Sequence, residues 1–462
     1  MSSFASISTA LTALQGHRRA MDTTGHNIAN VNTAGYTRQR TDLEARPVPG
    51  AGSAVANRLV SGGGVEIVGT SRIADEFRTA RVRTQTAAHA DLQARAETLT
   101  EVERLLSEPG DTGLAKQLTE MWGAWSAVAK STEAAPREVL VEKAQAVVDS
   151  LKAGQRGLDT LWTDQRAQVD GLVNEVNGLT SRIAGLNLAV VATLGGPAGD
   201  LGAANDLLDQ RDSLVTRLVE LTGATAVQQQ DGHLDVTLGG NPLVAGAESY
   251  ALSVAGAVAR SDLAGDPVRL VRPSGAVVGA LPGGQLAGAL DALNTTIPGF
   301  AARYEEVAAS LVTTVNTAYA ATGSPTGFFT GSTVATLAVE AGLRAAPAGV
   351  RAGEPGRGAS DASVAARIAD SAKLPDGPDA AWQRHVVTVG VRTQAAGARA
   401  DVAAVTLASV VADQESVSGV SLDEETANLL VIQRAYEGAA RVLTAVDQAL
   451  DTLINRTGLV GR

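Results

Sequence analysis

The stretch Ser421–Ile454, SLDEETANLLVIQRAYEGAARVLTAVDQALDTLI, decides the fold. Leu429, Ile432, Tyr436, Ala439, Leu443, Val446, Leu450 and Leu453 recur at spacings of three and four, the seam of a coiled coil. Glu425, Arg434, Glu437, Arg441 and Asp451 fall off that seam. Ser421 and Glu424 form an S-x-x-E capping box that starts the helix. Gly458 and Gly461 follow its end, where a left-handed cap is expected. At the other end of the chain Phe4, Ile7, Leu11, Leu14, Arg18, Met21, Gly25 and Ile28 repeat the rhythm, with Arg18 and Gly25 as weak positions. An isolated helix in water is marginal, and a large aliphatic side chain gains roughly 1.5–3 kcal/mol only on full burial. Each stripe therefore needs a partner, either the other end of the chain or a neighbouring copy. For one stripe alone, an amphipathic helix docked on its own domain is the simpler reading. Two stripes at opposite extremes predict a body carried on a paired-terminus stalk.

Composition narrows the function classes. The chain has 462 residues, room for two to four domains. Lys and Arg total 38 against 49 Asp and Glu, a net charge of −11, which argues against nucleic acid or anionic membrane as partner. Aromatic residues are 3% of the chain, and small side chains in periodic runs suit packed helices better than a ligand pocket. The absence of cysteine removes disulfides, thiolate zinc sites and thiol nucleophiles. No basic region followed by an apolar core precedes the first helix, so no cleaved leader is expected. No run reaches the ~18 apolar residues of a membrane span, and no membrane insertion is expected.

Between the stripes the sequence predicts a nested layout. Asn27–Arg40, NIANVNTAGYTRQR, is rich in turn formers that end the first helix and open an extended segment. Residues 47–64 read as a loop closing on Gly62-Gly63-Gly64, followed by a short strand at best around Val65–Gly69. Helices are expected over 72–108, 112–130, 136–194 and 205–221, the third long enough to be the spine of a rod-shaped bundle. Residues 224–281 change to short alternating runs at 226–228, 234–238, 250–254, 268–271 and 276–278. Helix resumes over 284–321 with a bend at Pro298-Gly299, and again from 380 into the terminal helix. The expected fold is mainly α with an inserted small β-rich domain, elongated, its N- and C-terminal helices paired as a coiled coil below a long-helix bundle. The domains are then 1–45 with 421–462 (coiled coil); 46–223, 284–322 and 380–420 (bundle); 224–283 (β-rich outer domain); and 323–379, a loop-rich extension of the outer domain.

Candidate chemical sites are weak. Asp206, Asp209 and Asp212 fan over more than one helical face around Arg211, so capping at Asn205 and Asp206 with ion pairing to Arg211 explains them better than a metal does. His17, His26, His89, His233 and His385 are scattered, without ligand spacing. Gly62-Gly63-Gly64 lacks the Lys-Ser/Thr of a phosphate loop, and no G-x-S-x-G occurs. Trp122 and Trp125 share one helical face and read as core. Catalytic, cofactor and metal residues are all expected to be absent.

Three blocks carry a resemblance. Asn27-Ile28-Ala29-Asn30-Val31-Asn32-Thr33-Ala34-Gly35-Tyr36 is similar to the N-terminal signature of the axial proteins of the bacterial flagellum. Thr37-Arg38-Gln39 narrows the match, as does Asn205-Asp206-Leu207-Leu208-Asp209-Gln210-Arg211-Asp212. Ser418–Glu425 followed by Gln433-Arg434-Ala435-Tyr436 completes it. Together they resemble the hook-associated protein 1 family, with Ala34 where Pro is common and a reduced 323–379 region. The resemblance implies a structural, non-enzymatic subunit of the hook–filament junction, extracellular on the flagellum and exported by the flagellar type III apparatus without a cleaved signal. Implied partners are further copies of the chain, the hook protein, a second hook-associated junction protein, and an export chaperone at the C-terminal region. Another axial subunit of hook or rod, a cell-wall-active enzyme on a flagellar scaffold and a cytosolic coiled-coil adaptor are the rivals. Subunit packing is assigned to Phe4, Ile7, Leu11, Leu14, Met21, Ile28, Leu429, Ile432, Tyr436, Leu443, Val446, Leu450 and Leu453. The resemblance makes Asn27, Asn30, Asn32, Gly35, Tyr36, Arg38, Gln39, Asn205, Asp209, Arg211 and Asp212 signature positions at a structured joint.

Overall fold

In the computed structural model, residues 3–46, 63–131, 133–195 and 201–456 are described. The two terminal stripes are helices packed on each other: α1, Ser3–Ala29, and the C-terminal helix, Leu422–Asp451. Ser421 caps the latter by accepting from the Glu424 amide at 3.5 Å. Two helices cover one side of each other, so Ile7, Leu14, Met21 and Ile28 meet Leu429, Ile432, Leu443, Val446 and Leu450 as half-buried residues. Leu11, Tyr436 and Leu453 remain exposed on the pair. Phe4's side chain lies outside the described residues.

An antiparallel ribbon leans on α1: β1, Gln39–Ala45, and β2, Val65–Arg72, with a bulge at Asp42/Leu43. The strand expected to be short at best is therefore eight residues long, because β1 pairs with all of it but the bulged Val68. The expected loop 47–64 lies outside the described residues except for Gly63 and Gly64.

The body is a set of long helices. They are α2 (Glu76–Leu106), α3 (Leu114–Lys130), α4 (Ala135–Leu194), α5 (Leu201–Thr222), α6 (Gln285–Asp291) and α7 (Ile297–Tyr319). Two short helices follow, α8 (Ala341–Ala345) and α9 (Ser363–Asp370), then α10 (Pro378–Ser418) and the terminal α11. α2 begins four residues later than the periodicity suggests, because Asp75 accepts from the amides of Phe77 and Arg78 and fixes its N-terminus. α4, 60 residues and ~90 Å long, is the spine, its buried face running from Leu140 to Val190. α3 packs on it through Leu118, Met121, Trp122 and Trp125, all buried as expected of core residues. Gly154 of α4 is required: a Cβ there would stand 2.3 Å from the Tyr304 ring of α7.

Several sequence expectations shift. The helix over 284–321 breaks at a π turn, Ala292–Thr296, and Pro298 sits in the first turn of α7, where its missing N–H costs nothing. The β unit contains a four-stranded antiparallel sheet of β3 (Thr225–Gln228), β4 (Leu234–Leu238), β5 (Asn241–Ala245) and β6 (Glu248–Ser249). β7 (Ser253–Ala255) pairs with β8 (Arg269–Val271), and Val277 contributes only a bridge to Val271. Pro242 and the glycines around β5 and β6 hid those strands from a pattern search. Residues 323–379 carry the hairpin β9 (Phe329–Thr330) and β10 (Ala338–Val339) besides α8 and α9, and this segment packs on α3, α4 and α7. Within Ser363–Asn455 one helical stretch is long and apolar enough to cross a membrane by length and composition alone. The sequence reading found no such run because it weighed large side chains, whereas Ala and Val raise the average here. α10, in that span, lies along α2.

Candidate functional site

Asn27 ends α1 and is only 1% exposed, yet each polar atom of its side chain is engaged. Nδ2 donates to the Gln39 carbonyl at 2.9 Å and to Glu425 Oε2 at 3.0 Å. Oδ1 accepts from the Gln39 amide at 2.9 Å and from the Tyr36 hydroxyl at 2.8 Å. The turns that follow α1 make this possible. Asn30 donates to the His26 carbonyl and accepts from Thr33, and Gly35 takes φ +78°, which turns the chain back so that Tyr36 faces Asn27. Asn32 is exposed in that turn.

From Thr37 onward the backbone is clamped on both sides. The Thr37 amide donates to Asp209 Oδ2 at 3.0 Å, and the Arg38 amide donates to the Ser418 carbonyl at 2.9 Å. Arg38 Nε and Nη2 both reach Glu425 Oε1 at 2.7 Å, and Nη1 reaches Glu424 Oε2 at 2.9 Å. Glu425, in the first turn of α11, is 2% exposed; Arg38 and Asn27 share its two oxygens. Glu424, the expected second half of the capping box, is used by Arg38 rather than turned back on its own helix.

The 205–212 block completes the joint, but not as expected. α5 begins at Leu201, so Asn205 and Asp206 lie inside the helix and cap nothing. Asn205 donates to the Thr70 carbonyl at 2.7 Å, and Asp206 accepts from Gln39 Nε2 at 3.2 Å. Arg72 Nη1 bridges Asp209 at 2.7 Å and Asp212 at 2.9 Å, and Arg83 donates to Asp212 at 2.9 Å. Arg211 pairs with none of them. Fully buried, it donates to Asn187 Oδ1, the Gly232 carbonyl and Gln228 Oε1, pinning the β3–β4 turn to α4. Asn187 in turn bonds both the amide and the carbonyl of Leu234.

Electrostatics follow burial. Tyr36 is pushed well above the usual phenol range, first by burial and then by Asp206, Asp209 and Glu425, so its hydroxyl stays a donor. Burial raises Asp209 although Arg72 and the Thr37 amide oppose it. Burial pushes Arg211 down to about 10.

Signature positions Asn27, Tyr36, Arg38, Gln39, Asn205, Asp209 and Asp212 thus converge on one polar joint, with Asn30 and Gly35 shaping its turn. Arg211 stands apart at the β unit. Glu424 and Glu425, from the C-terminal block, also belong to the joint, as do Arg72 and Arg83, which carried no sequence signal beyond charge. The 30–37 turn lies between open clefts of about 930 and 660 Å³. Among the described residues no group of three metal-ligating side chains occurs. What the arrangement does chemically is hold four chain segments in one register.

Comparison with known proteins returns flagellar proteins. Residues 99–327 match the family described as "Flagellar hook-associated protein FlgK helical domain". Residues 7–37 match "Flagella basal body rod protein", and 415–456 match "Flagellar basal body rod FlgEFG protein C-terminal". The chain is 27% identical to flagellar hook-associated protein 1 of Bacillus subtilis, over 100% of both chains. It is 31% identical to flagellar hook-associated protein 1 of Escherichia coli over 54% of this chain, spanning 44% of that one. The flagellar hook junction protein FlgK of Burkholderia pseudomallei is a solved structure with 25% identity and a TM-score of 0.46, covering 54% of this chain and 46% of that one. The full-length match, together with family matches at both ends and through the helical body, makes this chain similar along its whole length to flagellar hook-associated protein 1.

Proposed function

We propose that this chain is a structural, non-enzymatic subunit at the junction between flagellar hook and filament. It is exported by the flagellar type III apparatus and self-assembles outside the cell through α1 and α11. One observation carries the reading: α1 and α11 are paired and anchored by a buried polar joint, yet the pair leaves Leu11, Leu430, Val431, Val442 and Leu453 exposed. A helix pair held rigidly to the body but covered on one side presents surface that neighbouring subunits complete. Full-length similarity to flagellar hook-associated protein 1 supports the junction as its place. The hook protein and a second hook-associated junction protein are then its axial neighbours, and an export chaperone covers the C-terminal region before assembly.

A deletion strain tests the reading. Intact hooks without attached filaments, with filament protein lost to the medium, are expected, restored by the full chain and not by one lacking residues 1–28 or 429–462. Normally attached filaments in the deletion strain would overturn it. The rod-family matches at both ends favour a second reading, a rod or hook subunit. Labelling of the chain in the rod or along the hook, and not between hook and filament, would select it.

A further inference from the structure

α10 has two faces. Trp382, His385, Val389, Ala400 and Val410 are buried in the body. On the opposite side Val387, Val391, Ala398, Val402 and Val405 recur at coiled-coil spacing, and the four valines are 60% to 71% exposed. Of the 24 exposed large hydrophobic side chains among the described residues, 12 lie between Val387 and Ile454. That concentration, in less than a sixth of the chain, marks an interaction surface rather than scattered apolar positions. Arg384 and Arg399 flank the seam, with Asp401 the acidic group beside it, while the Arg392 guanidinium lies over the Phe300 ring on the body side.

We propose that this face is a second subunit interface and that its occupant is α4 of another copy of the chain. The inference rests on the reading of the protein as a self-assembling subunit. Charge and length single out α4. Its solvent side carries Asp164, Asp170 and Glu175 along a stripe whose one exposed arginine is Arg182; Asp170 and Glu175 also pair with Arg166 and Arg217 of their own chain. The stripe runs from Asp164 to Leu188, ~36 Å, against ~27 Å for Val387–Val405. Gly171, Gly178 and Gly185 recur along it every seven residues, and apart from the helix's own backbone nothing lies within 4 Å of where a Cβ would stand on any of them. Glycine weakens a helix interior relative to alanine, and nothing in the chain's own packing uses these three. A second helix bearing small branched side chains seats on such a groove, with arginines along one partner and carboxylates along the other. An α10–α10 contact would set arginine against arginine. The contact is therefore head to tail, which generates rings or helical arrays instead of closed dimers.

The absence of cysteine makes cross-linking a clean test. Chains carrying Val391→Cys or Val402→Cys are co-expressed with chains carrying Ala167→Cys, Ser181→Cys or Leu188→Cys, and assembled appendages are oxidised. Disulfide-linked pairs joining an α10 site to an α4 site are expected. Pairs linking only α10 to α10, or no α10 cross-link in appendages that contain both chains, would overturn the interface. In parallel, Val391→Asp/Val402→Asp is expected to keep wild-type helicity and lower incorporation at least tenfold. Wild-type incorporation of that variant would sink the α10 interface and leave the junction reading standing. Failure of the unaltered chain to appear between hook and filament would sink the junction reading itself.

Discussion

Glu425 shows how much one carboxylate can organise. Its oxygens are divided between Arg38 and Asn27, so replacing it removes the shared acceptor of a largely buried guanidinium and a buried amide. Removing one partner of a buried ion pair is costly, and since Arg38 keeps Glu424 and some solvent, Glu425→Ala should cost about 2–3 kcal/mol. Urea unfolding monitored at α11 checks this, and a double-mutant cycle with Asn27→Ala should return coupling of about 1 kcal/mol or more. Unchanged stability would mean that the joint does not anchor the helix. His385 is the opposite case, a group held neutral. It is caged by Phe300, Tyr304 and Trp382, and both ring nitrogens lack a protein partner. Burial first, then Arg303, push its pKa down to about 4, with Glu306 opposing. The unfolded chain takes up this proton near pH 6.5 and the folded chain only near pH 4, so the stability present above pH 6.5 is lost as pH falls between those values. The loss amounts to about 3 kcal/mol. His385→Leu should flatten that part of the stability–pH curve; an unchanged slope would exclude His385 as its source.

At the scale of elements, α4 decides how the body is assembled, and Gly154 is its tightest point. Tyr304 is buried and ringed by Trp382 and His385, so it cannot swing away from a new methyl group. Gly154→Ala should therefore destabilise by about 1–3 kcal/mol through overpacking, despite alanine's better helix propensity. Thermal unfolding decides, and a stabilised variant would show that the ring yields. The helices themselves were legible because Leu118, Met121, Trp122 and Trp125, or Leu429, Ile432 and Leu443, write their period into the sequence. β5 and β6 were not: five residues beginning Asn241-Pro242 and a two-residue strand leave no alternation to read. The joint was legible only as three separate blocks. Asn27 and Glu425 are 398 positions apart, and nothing local announces that an asparagine at a helix end will be satisfied by a distant carboxylate. Arg211 misled for the same reason. Its acidic neighbours in sequence suggested ion pairs, while burial against the β3–β4 turn gave it carbonyl and amide partners instead.

Over the whole molecule, stability should be uneven. The body has a continuous core, whereas α1 and α11 bury one side each and depend on the joint and on each other. In the free monomer, amides of residues 7–28 and 429–453 should exchange faster than those of α3 and α4, and slow markedly once the chain is incorporated into the appendage. Equal protection in monomer and assembly would show that the terminal pair is complete without neighbours.

The backbone also enters and leaves the body through one narrow gate, where the Arg38 amide holds the Ser418 carbonyl. Past the ribbon, which leans on α1 and recrosses where the Ile73 amide donates to the Arg38 carbonyl, whatever is spliced in before Ser418 hangs outboard of that gate and leaves the geometry of the two ends alone. Lengthening or trimming the modules beyond it should therefore leave the pairing of α1 with α11 unchanged. A foreign epitope placed at the Ser274-Gly275 turn should ride along for the same reason.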